Sequence, residues 1–191
     1  MLHLIENRLL TAFSIFTTAA NLLQLGLPII GLVIMLLLIG FKWGFLELDV
    51  LQKSWQEIPK IVVLSFIIPA LAEETVFRVL FLPHPTENPS IKTQLLWGAI
   101  TLAAFIIYHP LQGLTWNPAG REVFMKPSFL ILAALLGAMC TLAYLVVGSV
   151  WLPVIIHWLA VIVWLVLLGG YGQFAHLYSL SVYHMLTSAY F

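Results

Sequence analysis

The chain has 191 residues, of which 62% are hydrophobic and only 8% charged, with acidic and basic groups in equal number and a mean hydropathy of +1.04. A soluble domain carries about 25% charged residues, so a water-facing exterior is excluded and an integral membrane protein is expected. Zero net charge leaves no basic surface for nucleic acid or an anionic membrane.

From the N-terminus, Glu6 and a second apolar stretch directly behind the first argue for an uncleaved segment rather than a signal peptide. Residues 9–24 carry Thr11, Ser14, Thr17, Thr18, Asn21 and Gln24 at helical spacing. This weakly polar face either lies in the membrane interface or turns inward as a sixth span. Five segments are long and apolar enough to cross a bilayer, at 25–41, 60–82, 93–109, 128–147 and 151–169. The tail 171–191 repeats the weakly polar pattern with His176, Ser179, Tyr183, His184 and Thr187, and its two histidines read as interfacial. His3 and His84 are assigned no function. Cys140, the only cysteine, reads as a buried structural thiol that forms no intramolecular disulfide. Neither a C-terminal C-a-a-X box nor an N-terminal Met-Gly is present, so lipidation is not expected to be the anchor.

The expected architecture is all-α: a single domain over 1–191, a polytopic bundle of five to six spans with an amphipathic N-terminal segment and a C-terminal tail. Pro-rich or Gly-rich loops separate the spans at 83–90, 109–127 and 147–149. Lys42, Lys53 and Lys60 share a side with Arg121 and Lys126, which makes loops 42–60 and 110–127 cytoplasmic. A multi-pass protein of a plasma or inner membrane is expected, with an internal photosynthetic membrane also open.

Within the second of these spans lies LAEETVFR. A carboxylate or arginine at the centre of a lipid-facing helix costs about 2.5–3.5 kcal/mol, so Glu73, Glu74 and Arg78 must face the protein interior and find partners. Glu74 and Arg78 stand four residues apart in the favourable order for an intrahelical ion pair. Glu73 points about 100° away, on the face shared with Phe77 and Leu80, and has no charge partner. A free carboxylate of this kind suits a general base. A buried electrostatic staple accounts for Glu74 and Arg78 equally well, but not for the second carboxylate.

Two histidines lie in other apolar segments, His109 at the end of TLAAFIIYHP and His157 within SVWLPVIIHWLAVIVWLV. Buried polar groups need partners, so Glu73, His109 and His157 are expected to converge from three helices on one cavity. That makes a hydrolytic site, with Glu73 activating water and the histidines hydrogen-bonding a developing oxyanion.

These residues also carry a resemblance. EETVFR (73–78), FIIYH (105–109) and the histidine of HWLAV (157–161) resemble, in order, the EExxxR, FxxxH and late-histidine motifs of the CPBP family of intramembrane proteases. That family is also called the CAAX-protease or Abi family, and it includes bacteriocin-processing members. The resemblance implies catalytic roles for Glu73, His109 and His157, pairing of Glu74 with Arg78, and a supporting role for Phe105. Val161 stands where the family usually has Asn or Asp, and Val79 where many members have Gly.

The implied function is an intramembrane endopeptidase working near the cytoplasmic face on a peptide or membrane-anchored protein. Prenylated proteins, bacteriocin-type peptides and anchored regulators are all open as substrates, and membrane lipid is the other partner. No HExxH or HxxEH signature is present, so a metal-free mechanism is preferred. The alternative is a zinc ion held by Glu73, His109 and His157. Two non-proteolytic readings remain beside it: a scaffold or immunity-type protein, favoured by Val161, and a proton-coupled carrier using Glu73 and His157.

Overall fold

The computed structural model describes residues 2–52 and 57–174; the amphipathic reading of the tail beyond 174, with His176 and His184, and the side assigned to Lys53 lie outside the described residues. In chain order the α-helices are α1 (Leu2–Ser14), α2 (Ala19–Lys42), α3 (Ile58–Ser65), α4 (Ala72–Glu74), α5 (Ile91–Leu114), α6 (Arg121–Phe124), α7 (Pro127–Val147) and α8 (Trp151–Leu167). No strand occurs among the described residues, so the all-α expectation holds. Helices α2, α5 and α7 are each long and apolar enough to cross a membrane, and α8 is a shorter apolar helix. Leu23 and Leu27 on α2 are 83% and 81% exposed, which suits lipid as the solvent of that face. The protein is a membrane protein.

The weakly polar stretch 9–24 is not one helix. Helix α1 stops at Ser14, and Thr18 starts α2 as its N-cap. The Thr18 amide donates to Asn21 Oδ1 at 3.0 Å, and the Asn21 amide donates to Thr18 Oγ1 at 3.3 Å. Part of the apparent polar face is therefore a capping box, which satisfies amides that a helix start leaves unpaired.

The stretch expected as a continuous span over 60–82 is broken. Ile68 leaves helical geometry at φ −135°, ψ 110°, and Pro69 follows it across a cis bond. Proline lacks the amide that a helix needs and disfavours the helical conformation in the preceding residue. Beyond the kinked stretch Phe66–Leu71 comes the single turn α4, and then the widened turns of Thr75–Leu80. The two glutamates thus sit on a short helical piece set by its packing rather than by a long rigid rod.

Helix α7 is the centre of the bundle, in contact with α2, α5 and α8. Ala133, Gly137, Cys140 and Ala143 are buried along it, and such small residues allow helices to approach closely where no hydrophobic effect drives them together. The Cys140 thiol is buried with Sγ 3.6 Å from the Pro153 carbonyl, in keeping with a structural role. At one end of the bundle, residues 47–51 run beside the C-terminal end of α8: the amides of Asp49 and Leu51 donate to the carbonyls of Leu167 and Val166 at 3.2 and 2.8 Å. Phe45, Leu46, Phe124 and Leu168 pack together there.

At the other end, α1 is clasped to the bundle. Arg8 donates to both Glu87 carboxylate oxygens at 2.6 and 2.8 Å and to the Leu80 carbonyl at 3.2 Å. His84 extends the clasp: its amide donates to Glu87 Oε1, and its Nε2 lies 2.9 Å from the Gly148 carbonyl. His84 is only 1% exposed and is a structural tie, which its place in a Pro-rich loop did not suggest. The Arg8 hydrogen bonds hold the Glu87 carboxyl below its ordinary value of 4.5. A lowered carboxylate value contributes stability that is present above the ordinary value and lost as pH falls through the lowered one. The clasp should therefore persist at neutral pH and open only below about pH 4.5, while Glu87→Gln should loosen it at neutral pH already. Hydrogen exchange of α1 checks both, the substitution weakening its protection by about 1 kcal/mol.

Candidate active site

The site residues come from three parts of the chain. Glu73 and Glu74 lie on α4, Arg78 one turn later, His109 near the end of α5, and His157 midway along α8. All are buried, Glu74 with 0% exposure and Glu73, His109 and His157 with 6%, 6% and 3%. Glu73, His109 and His157 line a single cavity of about 470 Å³, whose remaining wall is almost wholly apolar and is supplied by α2, α5, α7, α8 and the Ile68–Pro69 break. The expected convergence is therefore present as geometry. The cavity reaches the end of the bundle that carries Phe45, Leu46, Asn117 and Phe124, from the two loops that charge counting placed on one side.

Glu74 does more than pair with Arg78. Its Oε2 is 3.1 Å from Arg78 Nε, and its Oε1 is 2.8 Å from His157 Nδ1. Arg78 is held further by the Gly137 carbonyl, which accepts from Nη2 at 2.8 Å, and by the Phe105 ring, whose centroid is 4.8 Å from the guanidinium carbon. Arg78 keeps Glu74 ionised, and the ionised carboxylate fixes the tautomer of His157, since it can only accept and Nδ1 must therefore carry the proton.

His109 is oriented in a parallel way. Its Nδ1 is 2.8 Å from the Phe105 carbonyl, another group that only accepts, so here too Nδ1 carries the proton. The FxxxH spacing thereby acquires a physical reason: the residue one turn before the histidine offers the carbonyl that holds it, and its ring lies against His109 and His157 at centroid distances of 4.8 and 6.1 Å. In both rings Nε2 is left as the nitrogen not engaged by these contacts, an acceptor when the ring is neutral and a donor only when it is protonated.

Glu73 is the member without a firm partner. Its Oε2 is buried with no hydrogen bond and lies 4.0 Å from His157 Nε2. A buried polar atom left open in this way is costly in a purely structural cluster. Two imidazole Nε2 atoms and a carboxylate have the right chemistry for zinc. Among the described residues, however, no three His, Cys, Asp or Glu side chains are close enough together to hold a metal ion.

Val161, one turn beyond His157, lines the cavity and adds no polar group. Gln112 and Asn117 do line it, and neither was singled out from the sequence. Asn117 precedes Pro118 and reads as a turn residue, so only the fold reveals that the turn faces the cavity.

The fold and this acid–imidazole cluster define a membrane helical bundle with an internal polar site in an apolar cavity. A family model described as type II CAAX prenyl endopeptidase Rce1-like matches residues 55–163, a stretch that contains every residue of the cluster. The chain belongs to this Rce1-like family of endopeptidases. No curated protein and no solved structure matches it.

The double contact of Glu74 separates two effects. Glu74→Gln should lower stability by about 3–5 kcal/mol, because it leaves Arg78 buried without its counter-charge. It should also reduce turnover per folded molecule about 10- to 100-fold, because His157 loses its orienting carboxylate. Arg78→Gln should lower both stability and turnover per folded molecule, because Glu74 loses the charge that keeps it ionised and able to orient His157. The double change Glu74→Gln with Arg78→Gln should regain stability but not turnover. Melting temperatures and activities normalised to folded protein check all three.

Proposed function

We propose that this chain is a multi-pass intramembrane endopeptidase that hydrolyses a peptide bond near the membrane face carrying loops 42–60 and 110–127. The observation that carries the reading is Glu73 Oε2, buried without a hydrogen bond and 4.0 Å from His157 Nε2 in an apolar cavity. In the proposed mechanism His157 enters as the imidazolium, so that Glu73, Glu74, Arg78 and His157 together carry no net charge, as burial favours.

From that state the chemistry follows. Glu73 takes a proton from water as the water oxygen attacks the scissile carbonyl carbon. The carbonyl oxygen becomes an oxyanion and accepts the Nε2 proton of His157 as a hydrogen bond, with Glu74 stabilising the imidazolium behind it. His109, with its proton on Nδ1, uses Nε2 to accept from the attacking water and orient it. Collapse of the tetrahedral intermediate breaks the C–N bond, and Glu73 passes its proton to the departing amine. The division between the histidines refines the expectation that both donate to the oxyanion: a neutral His109 held by the Phe105 carbonyl has only an acceptor to offer.

The mechanism is metal-free, with Glu73 as the base. The apolar wall suits an acyl or prenyl chain, or an apolar peptide segment, held beside the bond to be cut, and the family description makes a prenylated CAAX-type peptide the first substrate to try. The apolar Val161 favours the scaffold reading, and the same experiments decide against or for it.

Cleavage of a quenched fluorescent prenylated peptide by the full chain in lipid nanodiscs is the direct test. It is joined by mass spectrometry of membrane proteins from cells with and without the gene, looking for new termini. Glu73→Gln should abolish cleavage with little change in melting temperature. No cleaved product from either approach, with the protein well expressed, supports the scaffold. Activity should survive a chelator; loss of activity restored by added zinc would overturn the metal-free mechanism.

A further inference from the structure

A peptide lying in the cavity brings main-chain carbonyls as well as amides, and each carbonyl removed from water needs a donor. The polar groups around the cavity are poorly supplied with donors. Glu73 and the Nε2 of His109 accept, and the one Nε2 proton of His157 is used on the scissile carbonyl. The Gln112 side-chain amide spends one of its two hydrogens on the Tyr108 hydroxyl at 3.1 Å. The indole Nε1 of Trp164 has no acceptor, but it is buried away from solvent and lies close against Gly170.

Asn117 is different. Its Oδ1 accepts from the Gly120 amide at 3.3 Å, as the cap of the turn Pro118–Gly120, and its own amide donates to the Gln112 carbonyl at 2.9 Å. The side chain is thus held through its oxygen, and among the described residues its Nδ2 has no acceptor. The segment around it is built tightly. A Cβ on Gly113 would stand 2.8 Å from the Arg121 Cα, and one on Gly120 would overlap the Phe124 ring, so both close approaches require glycine. The Phe124 ring itself packs against His109, with centroids 5.8 Å apart, which ties the turn to the site.

We propose that Asn117 binds the substrate backbone, donating from Nδ2 to a main-chain carbonyl of the peptide. This rests on the endopeptidase reading and deepens it. Gln112, which anchors the Asn117 amide, is one helical turn beyond His109. The carbonyl concerned therefore lies on the side of the scissile bond nearer the membrane face. Asn117 is a binding residue rather than part of the chemical step.

The test uses the full chain in nanodiscs and the quenched prenylated CAAX-type peptide. Asn117→Asp keeps an oxygen to cap the turn and removes the donor; Asn117→Ala removes both, without adding charge. Each should raise KM about tenfold, the worth of one hydrogen bond, and leave kcat within about twofold, while only Asn117→Ala lowers the melting temperature. An unchanged KM in Asn117→Asp overturns the proposal. So does a raised KM in Asn117→Asp alone, because the effect is then one of charge. In the Glu73→Gln background, fluorescence anisotropy with the same peptide carrying the fluorophore but no quencher reads affinity without cleavage. If the native protein binds but does not cleave, the endopeptidase reading fails, and a tenfold weaker affinity on Asn117→Asp still supports the donor. No binding of the peptide overturns both.

Discussion

The Glu74 carboxylate, held between Arg78 and His157, is the interaction on which the site depends. In a bundle whose outside is lipid, an ionised carboxylate with 0% exposure is tolerated only where its charge is answered at close range. Arg78 supplies the answer, and the same guanidinium is tied to α7 through the Gly137 carbonyl and to α5 through the Phe105 ring. One ion pair therefore links the broken second span to the two helices beside it. Its second oxygen then decides which nitrogen of His157 faces Glu73. Stability and the orientation of His157 share a group here, and a substitution at Glu74 disturbs both.

The adjacent Glu73 illustrates the opposite case. It belongs to the same single turn of helix, yet its contact with His157 is a loose 4.0 Å, where Glu74 meets His157 and Arg78 at 2.8 and 3.1 Å. The difference arises from the direction each side chain takes: Glu74 points to α7 and α8, Glu73 to the cavity. The break at Ile68–Pro69 contributes to this placement, because it frees the turn at Ala72–Glu74 from the direction of α3. The kink residues themselves form part of the cavity wall, so the feature that interrupts the span also opens space beside the carboxylate.

Much of this was legible in the sequence, for reasons that can be named residue by residue. The scarcity of charge requires a lipid-facing exterior, and the apolar runs mark the long helices to within a few residues. The four-residue spacing of Glu74 and Arg78 specifies their pairing, since a helix brings those positions together. The expense of burying Glu73, His109 and His157 in separate apolar segments predicts that they meet. Local rules also misled: Thr17, Thr18 and Asn21 read as one face of a helix, but Thr18 and Asn21 cap a new one, and Pro69 breaks a segment whose hydropathy is continuous.

The sequence by itself determined the solvent, the approximate spans, the ion pair and the set of groups that had to be brought together, because hydropathy, helix periodicity and the cost of buried charge act over short distances along the chain. Only the tertiary structure decided that Glu74 also holds His157, that the Phe105 carbonyl orients His109, that His84 ties a loop to the turn after α7, and that Asn117 faces the cavity. Each of these depends on contacts between elements or on side-chain direction, and residues 74 and 157 carry no local mark of their meeting. Packing around α7, where small side chains let four helices come close, makes those contacts and leaves the cavity between them.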